Sequence, residues 1–255
     1  MNAVKNYVFD LYGTLIDIRT DEYDPHLWSI LAGFYSRYGA DYRPDALRDA
    51  YFRTVRKEQE ETARKTGADF PEIRLEKVFL RLLREAPDKR RAELTVGCDG
   101  AQTWAAAAAN LFRELSMRRF GVFPGVRETL QKLRARGAHL YLLSNAQRVF
   151  TMPEIEKAGL RDFFDAIYIS SDFGAAKPEP AFLRALLREQ KLDPTACVMV
   201  GNDVRSDMAI ARACGVRGVL LNTDGHSDAE LDALCREGAF EVIRSGRIEE
   251  IAEGE

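Results

Sequence analysis

Asp10 is the first residue whose type and position point to chemistry. It follows the apolar segment 7–9 and precedes a Gly13-Thr14 turn. In an open α/β sheet, ligands bind beyond the carboxyl ends of the strands, so a carboxylate at a strand end lies where a reaction can take place. An aspartate that ends a strand also commonly caps a turn. The first segment alone therefore leaves two interpretations open, a nucleophile and a turn cap.

Two later segments place a hydroxyl and a cation in comparable positions. The apolar residues 140–143 predict a strand buried on both faces, and Ser144 and Asn145 come at its end. Lys177 follows another predicted strand and precedes a proline, which restrains the backbone of the residue before it. Each of these residues taken alone is also explained by a chain turn or a solvated side chain.

A fourth segment contributes two more carboxylates. Asp203 follows the apolar residues 198–200, and Asp207 comes four positions later. This spacing places both acids near the start of one helix. An N-cap role for Asp203 is the simpler structural interpretation. Together, however, the four segments bring an aspartate, a serine, a lysine and an acidic pair to predicted strand ends, which favours a catalytic site.

These four segments resemble the sequence motifs of the haloacid dehalogenase superfamily, and the resemblance covers the whole chain. The motifs match residues 10–14, Ser144, Lys177, and Asp203 with Asp207. The resemblance implies an α/β fold, with a Rossmann-like parallel sheet core at 1–19 and 119–255 and an inserted all-helical cap at 20–118. It further implies that Asp10 is a nucleophile and that the main-chain carbonyl of Tyr12 is a metal ligand.

The interval predicted to be the cap also has a helical pattern of its own. Apolar residues recur there at helical spacing in two stripes. The two stripes are Leu27, Ile30, Leu31, Phe34 and Tyr35, and Leu75, Val78, Phe79, Leu82 and Leu83.

After Phe120, predicted strands and helices alternate to Ile243, which is typical of a parallel sheet with crossover helices.

The residue types suit phosphoryl transfer. Asp10 and Asp203 supply hard oxygen ligands without histidine or cysteine, which favours Mg²⁺ as the cofactor. Asp207 is expected to hold a metal-bound water or to orient Lys177. In-line attack by Asp10 on a small phosphorylated metabolite would give an aspartyl-phosphate that water hydrolyses. The residues predicted to bind the substrate are Thr14, Ser144, Asn145 and Lys177.

Tyr12 departs from the phosphatase pattern. Phosphatases of the resembled superfamily usually carry a second aspartate two positions after the nucleophile, where it acts as acid and base. A phenol with a pKa of about 10 is a poor base at neutral pH. The catalytic candidates are therefore Asp10, Ser144 and Lys177, together with Tyr12, whose role is open.

Two other functions remain open for this reason. The Asp-x-Tyr-Gly-Thr form is found in 2-haloacid dehalogenases, which need no metal and no leaving-group proton, although Asp203 and Asp207 disfavour that reaction. A dehalogenase also needs an arginine-lined cradle, for which the cap offers Arg53 and Arg56. The third hypothesis is a regulatory protein that binds phosphate without turnover.

The composition is typical of an enzyme with a full hydrophobic core. The chain has 255 residues, is 46% hydrophobic and has a net charge of −3. That charge gives no basic patch, so we expect no nucleic-acid partner, and no apolar run approaches the ~20 residues of a membrane span. Its four cysteines, Cys98, Cys197, Cys214 and Cys235, form no Cys-x-x-Cys pair, which favours a reducing, cytoplasmic location.

Overall fold

A computed structural model of the chain describes residues 5–89, 100–238 and 240–253. It divides into two compact units. The first comprises residues 1–18, 120–146 and 154–255, and the second comprises residues 19–119 and 147–153. The strands are β1 (Asn6–Phe9), β2 (Ile16–Thr20), β3 (Ala40–Asp41), β4 (Asp88–Lys89), β5 (Met117–Val122), β6 (His139–Ser144), β7 (Ala166–Ile169), β8 (Cys197–Gly201), β9 (Arg217–Leu221) and β10 (Glu241–Ile243).

The α-helices alternate with these strands in the first unit and dominate the second. Short 3-10 turns cover Arg161–Phe163 and Pro194–Ala196, and a π-helical turn covers Val204–Met208. The helices are α1 (Pro25–Arg37), α2 (Pro44–Thr66), α3 (Leu75–Arg84), α4 (Ala101–Ser116), α5 (Val126–Ala135), α6 (Arg148–Lys157), α7 (Ser170–Phe173), α8 (Pro180–Glu189), α9 (Ala209–Ala213), α10 (Asp228–Glu237) and α11 (Glu250–Glu253).

A parallel sheet forms the first unit. Its strand order, over the described residues, is β10-β9-β8-β1-β6-β7. β1 lies in the middle, with Val8 opposite Tyr141 of β6 on one side and opposite Met199 of β8 on the other. β1 and β6 are almost entirely buried, as their continuous apolar sequence predicts for strands covered on both faces. The predicted α/β core is confirmed.

The helices that cover one face of the sheet bury apolar side chains against it. Leu183 and Leu186 of α8 pack with Val8, Leu143 and Met199 of the central strands. Proline at the first position of α8 suits a helix start, because its missing N–H would have no partner there. The sheet is therefore rigidly supported directly beneath the strand ends that carry the polar motifs.

In its described residues, the second unit is built mainly from four helices around an aromatic core. Trp28 of α1 and Tyr51 of α2 lie against Phe112 of α4, with ring centroids 5.8 Å and 5.0 Å from that phenyl ring. Buried aromatic rings contribute large apolar areas and prefer tilted or offset contacts. The residues of both predicted stripes belong to this cluster except Ile30, which is 37% exposed, and Phe34, which is partly buried and packs against the cluster.

The second unit differs from the predicted cap in two details. It contains one antiparallel strand pair, β3 with β4, in an interval that the sequence pattern predicts to be entirely helical. Two-residue strands are too short to show the alternation by which strands are recognised. It also includes residues 147–153, where Gln147 accepts a hydrogen bond from Leu75 N at 2.9 Å.

Parts of the sequence predictions lie outside the described residues. These are residues 90–99 of the predicted cap, which include Cys98. Cys197, Cys214 and Cys235 are free thiols. In the described ranges, no helix combines the length and the apolar character that a membrane span requires.

Asp165 ties the start of β6 to the loop before β7. Its carboxylate accepts a hydrogen bond from Leu140 N at 3.0 Å and forms an ion pair with Arg134 at 2.8 Å. Burial acts to raise the pKa of Asp165, but these hydrogen bonds and the charge of Arg134 outweigh it, so the pKa lies below its usual value.

Replacing Asp165 with alanine should lower the free energy of unfolding by about 1 kcal/mol at neutral pH. A carboxylate whose pKa is lowered by folding contributes stability above its unfolded-state pKa and loses it as the pH falls through the folded-state pKa. The difference between wild type and Asp165→Ala in urea unfolding should therefore shrink below about pH 4. Asp165→Asn, which keeps an acceptor for Leu140 N, serves as the uncharged control. A difference independent of pH would contradict this assignment.

Candidate functional site

The polar motifs meet at the carboxyl edge of the parallel sheet. Asp10 follows the central strand β1, and its main-chain N–H donates to Val200 O of β8 at 2.9 Å. The chain runs from β1 through β6 to β7 on one side and then crosses to β8 on the other side, so β1 and β8 flank the point where the strand order reverses. Ligands of open α/β sheets bind at this kind of switch point.

Two side chains hold the Asp10 carboxylate, which is buried. Thr14 Oγ1 donates to its Oδ2 at 3.0 Å, and Lys177 Nζ donates to its Oδ1 at 2.6 Å. The tight turn that returns Thr14 to Asp10 requires Gly13, whose φ is +84°. The Gly-Thr pair therefore orients this carboxylate, while the predicted contact of Thr14 with the substrate stays a prediction.

Lys177 uses all three of its ammonium hydrogens. Besides Asp10, Nζ donates to Asp207 Oδ1 at 2.7 Å and to Leu143 O at 2.9 Å. Burial alone would lower the pKa of Lys177, but the charges of the two aspartates and their hydrogen bonds outweigh it and raise the pKa above its usual value. Lys177 is therefore a fixed positive charge between two carboxylates.

Asn145 fixes the backbone of Lys177. Its Nδ2 donates to Lys177 O at 2.9 Å, and its Oδ1 accepts from Lys177 N at 2.7 Å. This pair of bonds clamps the residue before Pro178. The structure thus gives Asn145 a contact with the lysine main chain, while its predicted substrate contact stays a prediction.

Asp207 is buried at the start of the helical segment after β8. Its Oδ1 pairs with Lys177, and its Oδ2 accepts from Asp203 N at 3.1 Å. Burial raises the pKa of Asp207 above its usual value, against the lowering effect of Lys177. A Cβ atom at Gly201 would lie 2.2 Å from Oδ2, so this carboxylate requires a glycine at the end of β8.

Asp203 caps the helical segment, as the simpler interpretation of the sequence predicts. Its Oδ1 accepts from Arg205 N at 2.7 Å, and its Oδ2 accepts from Ser206 Oγ at 3.0 Å. The side chain is nevertheless exposed at the sheet edge. Because an ionised carboxylate offers about four lone-pair positions, capping leaves Asp203 able to bind a cation.

Ser144 lies at the end of β6 and is fully buried. Its hydroxyl has no hydrogen-bond partner among the residues that the structure describes. Leaving a buried hydroxyl unbonded typically costs about 1–3 kcal/mol. Orphaned polar groups are uncommon in proteins, and one at the edge of a polar site is available to a ligand.

Tyr12 contacts a carboxylate that the sequence does not single out. Its phenol donates a short hydrogen bond to Glu154 Oε2, and Glu154 is 6% exposed. Glu154 lies on α6 among several other charged residues, and nothing in its local pattern distinguishes it. Tyr12, which stands where the phosphatases usually have their second aspartate, is therefore hydrogen-bonded to the buried carboxyl group of Glu154.

A second group of polar residues supports the turn after Asp10. Asn202 Nδ2 donates to Asp224 at 3.0 Å, which directs Asn202 Oδ1 toward Thr14 Oγ1 at 3.2 Å. Thr223 donates a short hydrogen bond to Gly13 O. These loop residues have no sequence signal beyond their polar character, since the loops that bring them together are far apart in the chain.

The oxygen donors of the site have the chemistry that a hard divalent cation requires. In the part of the chain that the structure describes, three or more His, Cys, Asp or Glu side chains nowhere form a metal-binding cluster by themselves. A metal site here would therefore also need carbonyl oxygens or water as ligands. Asp207 is engaged with Lys177 and with a main-chain N–H, which suits an orienting role. The candidates for direct ligands are Asp10, whose two oxygens also accept from Thr14 and Lys177, the exposed Asp203, and the Tyr12 carbonyl. This set fits Mg²⁺, which keeps several waters in protein sites.

The motifs, the switch-point geometry and the Lys177 ion pairs define a hydrolase-type site on a Rossmann-like sheet. The family model of the haloacid dehalogenase-like hydrolases matches residues 4–215. The chain belongs to this family.

Similar proteins of known activity include phosphatases. The ribulose-1,5-bisphosphate 5-phosphatase of Halopiger xanaduensis is 28% identical over 141 residues, which are 55% of this chain and 59% of that protein. The phosphoglycolate phosphatase of Pseudomonas putida is 33% identical over 112 residues, which are 44% of this chain and 41% of that protein. The chain thus spans less than two thirds of the length of these relatives.

One of the similar solved structures is that of a dehalogenase. The crystal structure of 2-haloacid dehalogenase from Pseudomonas syringae pv. Tomato DC3000 has a TM-score of 0.64 at 21% identity and covers 98% of this chain and 97% of that one. At this identity the likeness concerns the fold. The crystal structure of HAD phosphatase from Thermococcus onnurineus also matches, with a TM-score of 0.59 at 18% identity over 98% of this chain and 96% of that one, so the fold does not decide between the two activities.

Replacing Lys177 with methionine should be strongly destabilising. The change leaves Asp10 and Asp207 buried without their cation, and removing one partner of a buried ion pair typically costs about 3–5 kcal/mol. Adding Asp207→Asn should restore part of this loss, because it removes one of the two unpaired charges. The free energy of unfolding in denaturant measures both effects.

The matched control is Lys132→Met on the exposed side of α5, which should change the unfolding free energy by no more than about 0.5 kcal/mol. Equal losses for Lys177→Met and Lys132→Met would show that the buried ion pairs do not stabilise the fold.

Proposed function

We propose that the chain is a Mg²⁺-dependent phosphatase that acts on a small phosphorylated metabolite through Asp10. The observation that carries this proposal is the Asp10 carboxylate itself. It is buried at the switch point of the sheet, and Thr14 and Lys177 hold its two oxygens at 3.0 Å and 2.6 Å. A carboxylate fixed in this way is prepared for in-line attack, since little reorientation remains to be done.

Ser144 and Lys177 would bind the transferring phosphoryl group. The Ser144 hydroxyl is buried and has no hydrogen-bond partner in the described ranges, so it can donate to a phosphoryl oxygen without giving up a protein contact. Lys177 already offsets the charge of Asp10 and Asp207, which eases the approach of an anionic substrate.

The reaction would proceed in two displacements. A carboxylate oxygen of Asp10 forms a bond to phosphorus as the bond to the leaving oxygen breaks, and that oxygen takes a proton from water. Water then attacks the aspartyl-phosphate, releasing inorganic phosphate and regenerating the carboxylate. Asp10, Asp203 and the Tyr12 carbonyl would hold the cation, which when bound offsets the charge of the phosphoryl oxygens.

Hydrolytic dehalogenation of a 2-haloacid is the second candidate, and Tyr12 favours it. The phenol donates to Glu154 and thus offers no carboxylate of its own for general acid catalysis. A halide leaves without a proton, so that reaction does not need the missing acid. The exposed Asp203 argues against it, because an extra anion at the site repels a carboxylate substrate.

The first test measures phosphate release from an aryl phosphate and from a panel of small phosphate esters. Each assay is run with Mg²⁺ and with a chelator, and halide release from 2-haloacids is measured in parallel. Asp10→Asn serves as the control because it keeps the shape of the side chain and removes the nucleophile.

Three outcomes separate the functions. Phosphate release that needs Mg²⁺ and is lost in Asp10→Asn supports the proposal. Halide release in the presence of chelator overturns it in favour of the dehalogenase. Phosphate binding without turnover of either substrate class indicates the non-catalytic protein.

The role of Tyr12 can be tested by supplying the missing acid. Tyr12→Asp should be combined with Glu154→Gln, so that the new carboxylate does not face a second one. If phosphate release is limited by the absent acid, the double variant should be about 10²-fold faster than Glu154→Gln alone. A rate no higher than that of the single variant would show that protonation of the leaving group does not limit turnover.

A further inference from the structure

The hydroxyl of Thr14 lies within hydrogen-bond distance of two acceptors among the described residues. Its Oγ1 is 3.0 Å from Asp10 Oδ2 and 3.2 Å from Asn202 Oδ1. A hydroxyl has one hydrogen to donate. The nearer, charged oxygen of Asp10 takes it in this structure, because hydrogen bonds to ionised acceptors are stronger. The oxygen of Asn202 is therefore a second acceptor beside a hydroxyl that is fully buried.

Asp224 determines which end of the Asn202 amide faces Thr14. A side-chain amide has an oxygen that only accepts and a nitrogen that only donates. Asn202 Nδ2 donates to Asp224 Oδ2 at 3.0 Å, which turns the amide oxygen toward Thr14. The opposite orientation would bring the amide oxygen against the Asp224 carboxylate. Asn202 is also confined, since a Cβ atom at Gly13 would lie 2.6 Å from its Nδ2.

The loop after β9 holds Asp224 in place. Asn222, at the start of this loop, accepts from His226 N at 2.8 Å and donates to His226 O at 2.9 Å. Thr223 donates to Gly13 O, which ties the loop to the turn after β1. The loop therefore supports both that turn and the carboxylate that orients the amide.

The two oxygens of Asp10 are held unequally. Oδ1 accepts from the Lys177 ammonium at 2.6 Å, whereas Oδ2 accepts from the neutral Thr14 hydroxyl at 3.0 Å. An oxygen that forms a covalent bond to the substrate loses its negative charge and becomes a weaker hydrogen-bond acceptor. Loss of the Lys177 bond would leave a hydrogen of a buried ammonium unpaired. Loss of the Thr14 bond costs less, because Asn202 Oδ1 is within reach.

We propose that Asp10 attacks through Oδ2 and that the Thr14 hydroxyl then transfers its hydrogen bond to Asn202 Oδ1. Asn202 and Asp224 are positioning residues for this exchange. Oδ2 forms a bond to phosphorus as the bond to the leaving oxygen breaks, and the Thr14 hydrogen stays on its own oxygen throughout. Without the second acceptor, the buried hydroxyl would have no partner in the covalent intermediate. The exchange rests on the proposed role of Asp10 as the nucleophile, whether the atom attacked is phosphorus or carbon.

Asp10→Asn tests the exchange without any turnover. The amide oxygen of the new side chain keeps the Lys177 bond, so its NH₂ group faces Thr14 and cannot accept a hydrogen bond. The Thr14 hydroxyl should then donate to Asn202. In high-resolution crystal structures of wild type and Asp10→Asn, the distance from Thr14 Oγ1 to Asn202 Oδ1 should shorten from 3.2 Å to about 2.8 Å. A distance that is unchanged or longer in Asp10→Asn would overturn the proposal.

Asn202→Leu removes the second acceptor and keeps the side-chain shape. In whichever assay wild type is active, kcat should fall about tenfold, while KM should change by less than about twofold, because the exchange follows substrate binding. Asp224→Ala should have the same effect, since it frees the Asn202 amide to turn its NH₂ group toward Thr14. Asp224→Asn should restore most of kcat, because its side-chain oxygen accepts from Asn202 Nδ2.

The paired Asp224 variants separate orientation from charge. Equal losses of kcat in Asp224→Ala and Asp224→Asn would overturn the proposal, because the charge and not the orientation of the amide would then be responsible. A higher KM without a fall in kcat would also overturn it, since the residues would then act in substrate binding. If wild type releases neither phosphate nor halide, the proposed function fails, and the distance from Thr14 to Asn202 in Asp10→Asn still decides whether the hydroxyl changes its acceptor.

Discussion

The buried ammonium of Lys177 is the interaction on which the site depends. Two carboxylates, Asp10 and Asp207, lie at the edge of an apolar sheet, and each would be costly to bury as an isolated charge. Lys177 contacts both, and its third hydrogen reaches Leu143 O. Asn145 clamps the lysine main chain, so the cation is fixed from its backbone to its tip. Both carboxylates are thus held by the same cation, which offsets one of their two negative charges.

The elements that position this site could be predicted because their signals are local. The apolar run of β6 and the Asp10 turn each carry the whole pattern within a few residues, and the structure places them as expected. The supporting contacts could not be predicted in this way. Glu154 reaches Tyr12 only because the fold brings together residues far apart in the chain. The assignment of residues 147–153 to the second unit likewise depends on Gln147 bonding to Leu75 N.

Tyr12 shows how a single residue changes the acid and base groups that a site contains. A carboxylate at this position would be a second acid beside Asp10, whereas the phenol is neutral and its hydrogen is given to Glu154. A carboxyl group, that of Glu154, is therefore still linked to the turn, but through the Tyr12 side chain and not from the position of Tyr12 itself. Solved structures of a dehalogenase and of a phosphatase both match this fold, so the fold alone does not separate the two functions.

The central position of β1 has a consequence for how the chain reaches its folded state. Asn6 lies opposite Cys197, and Phe9 lies opposite Val200, so one edge of β1 pairs with residues that are synthesised long after β1 itself. Contacts between residues so distant in sequence slow folding, because a long loop must close before they form. Until β8 arrives, that edge of β1 is an unpaired apolar strand, the kind of surface that promotes aggregation. Asp10 is thus made long before the strand whose Val200 O accepts its main-chain hydrogen bond.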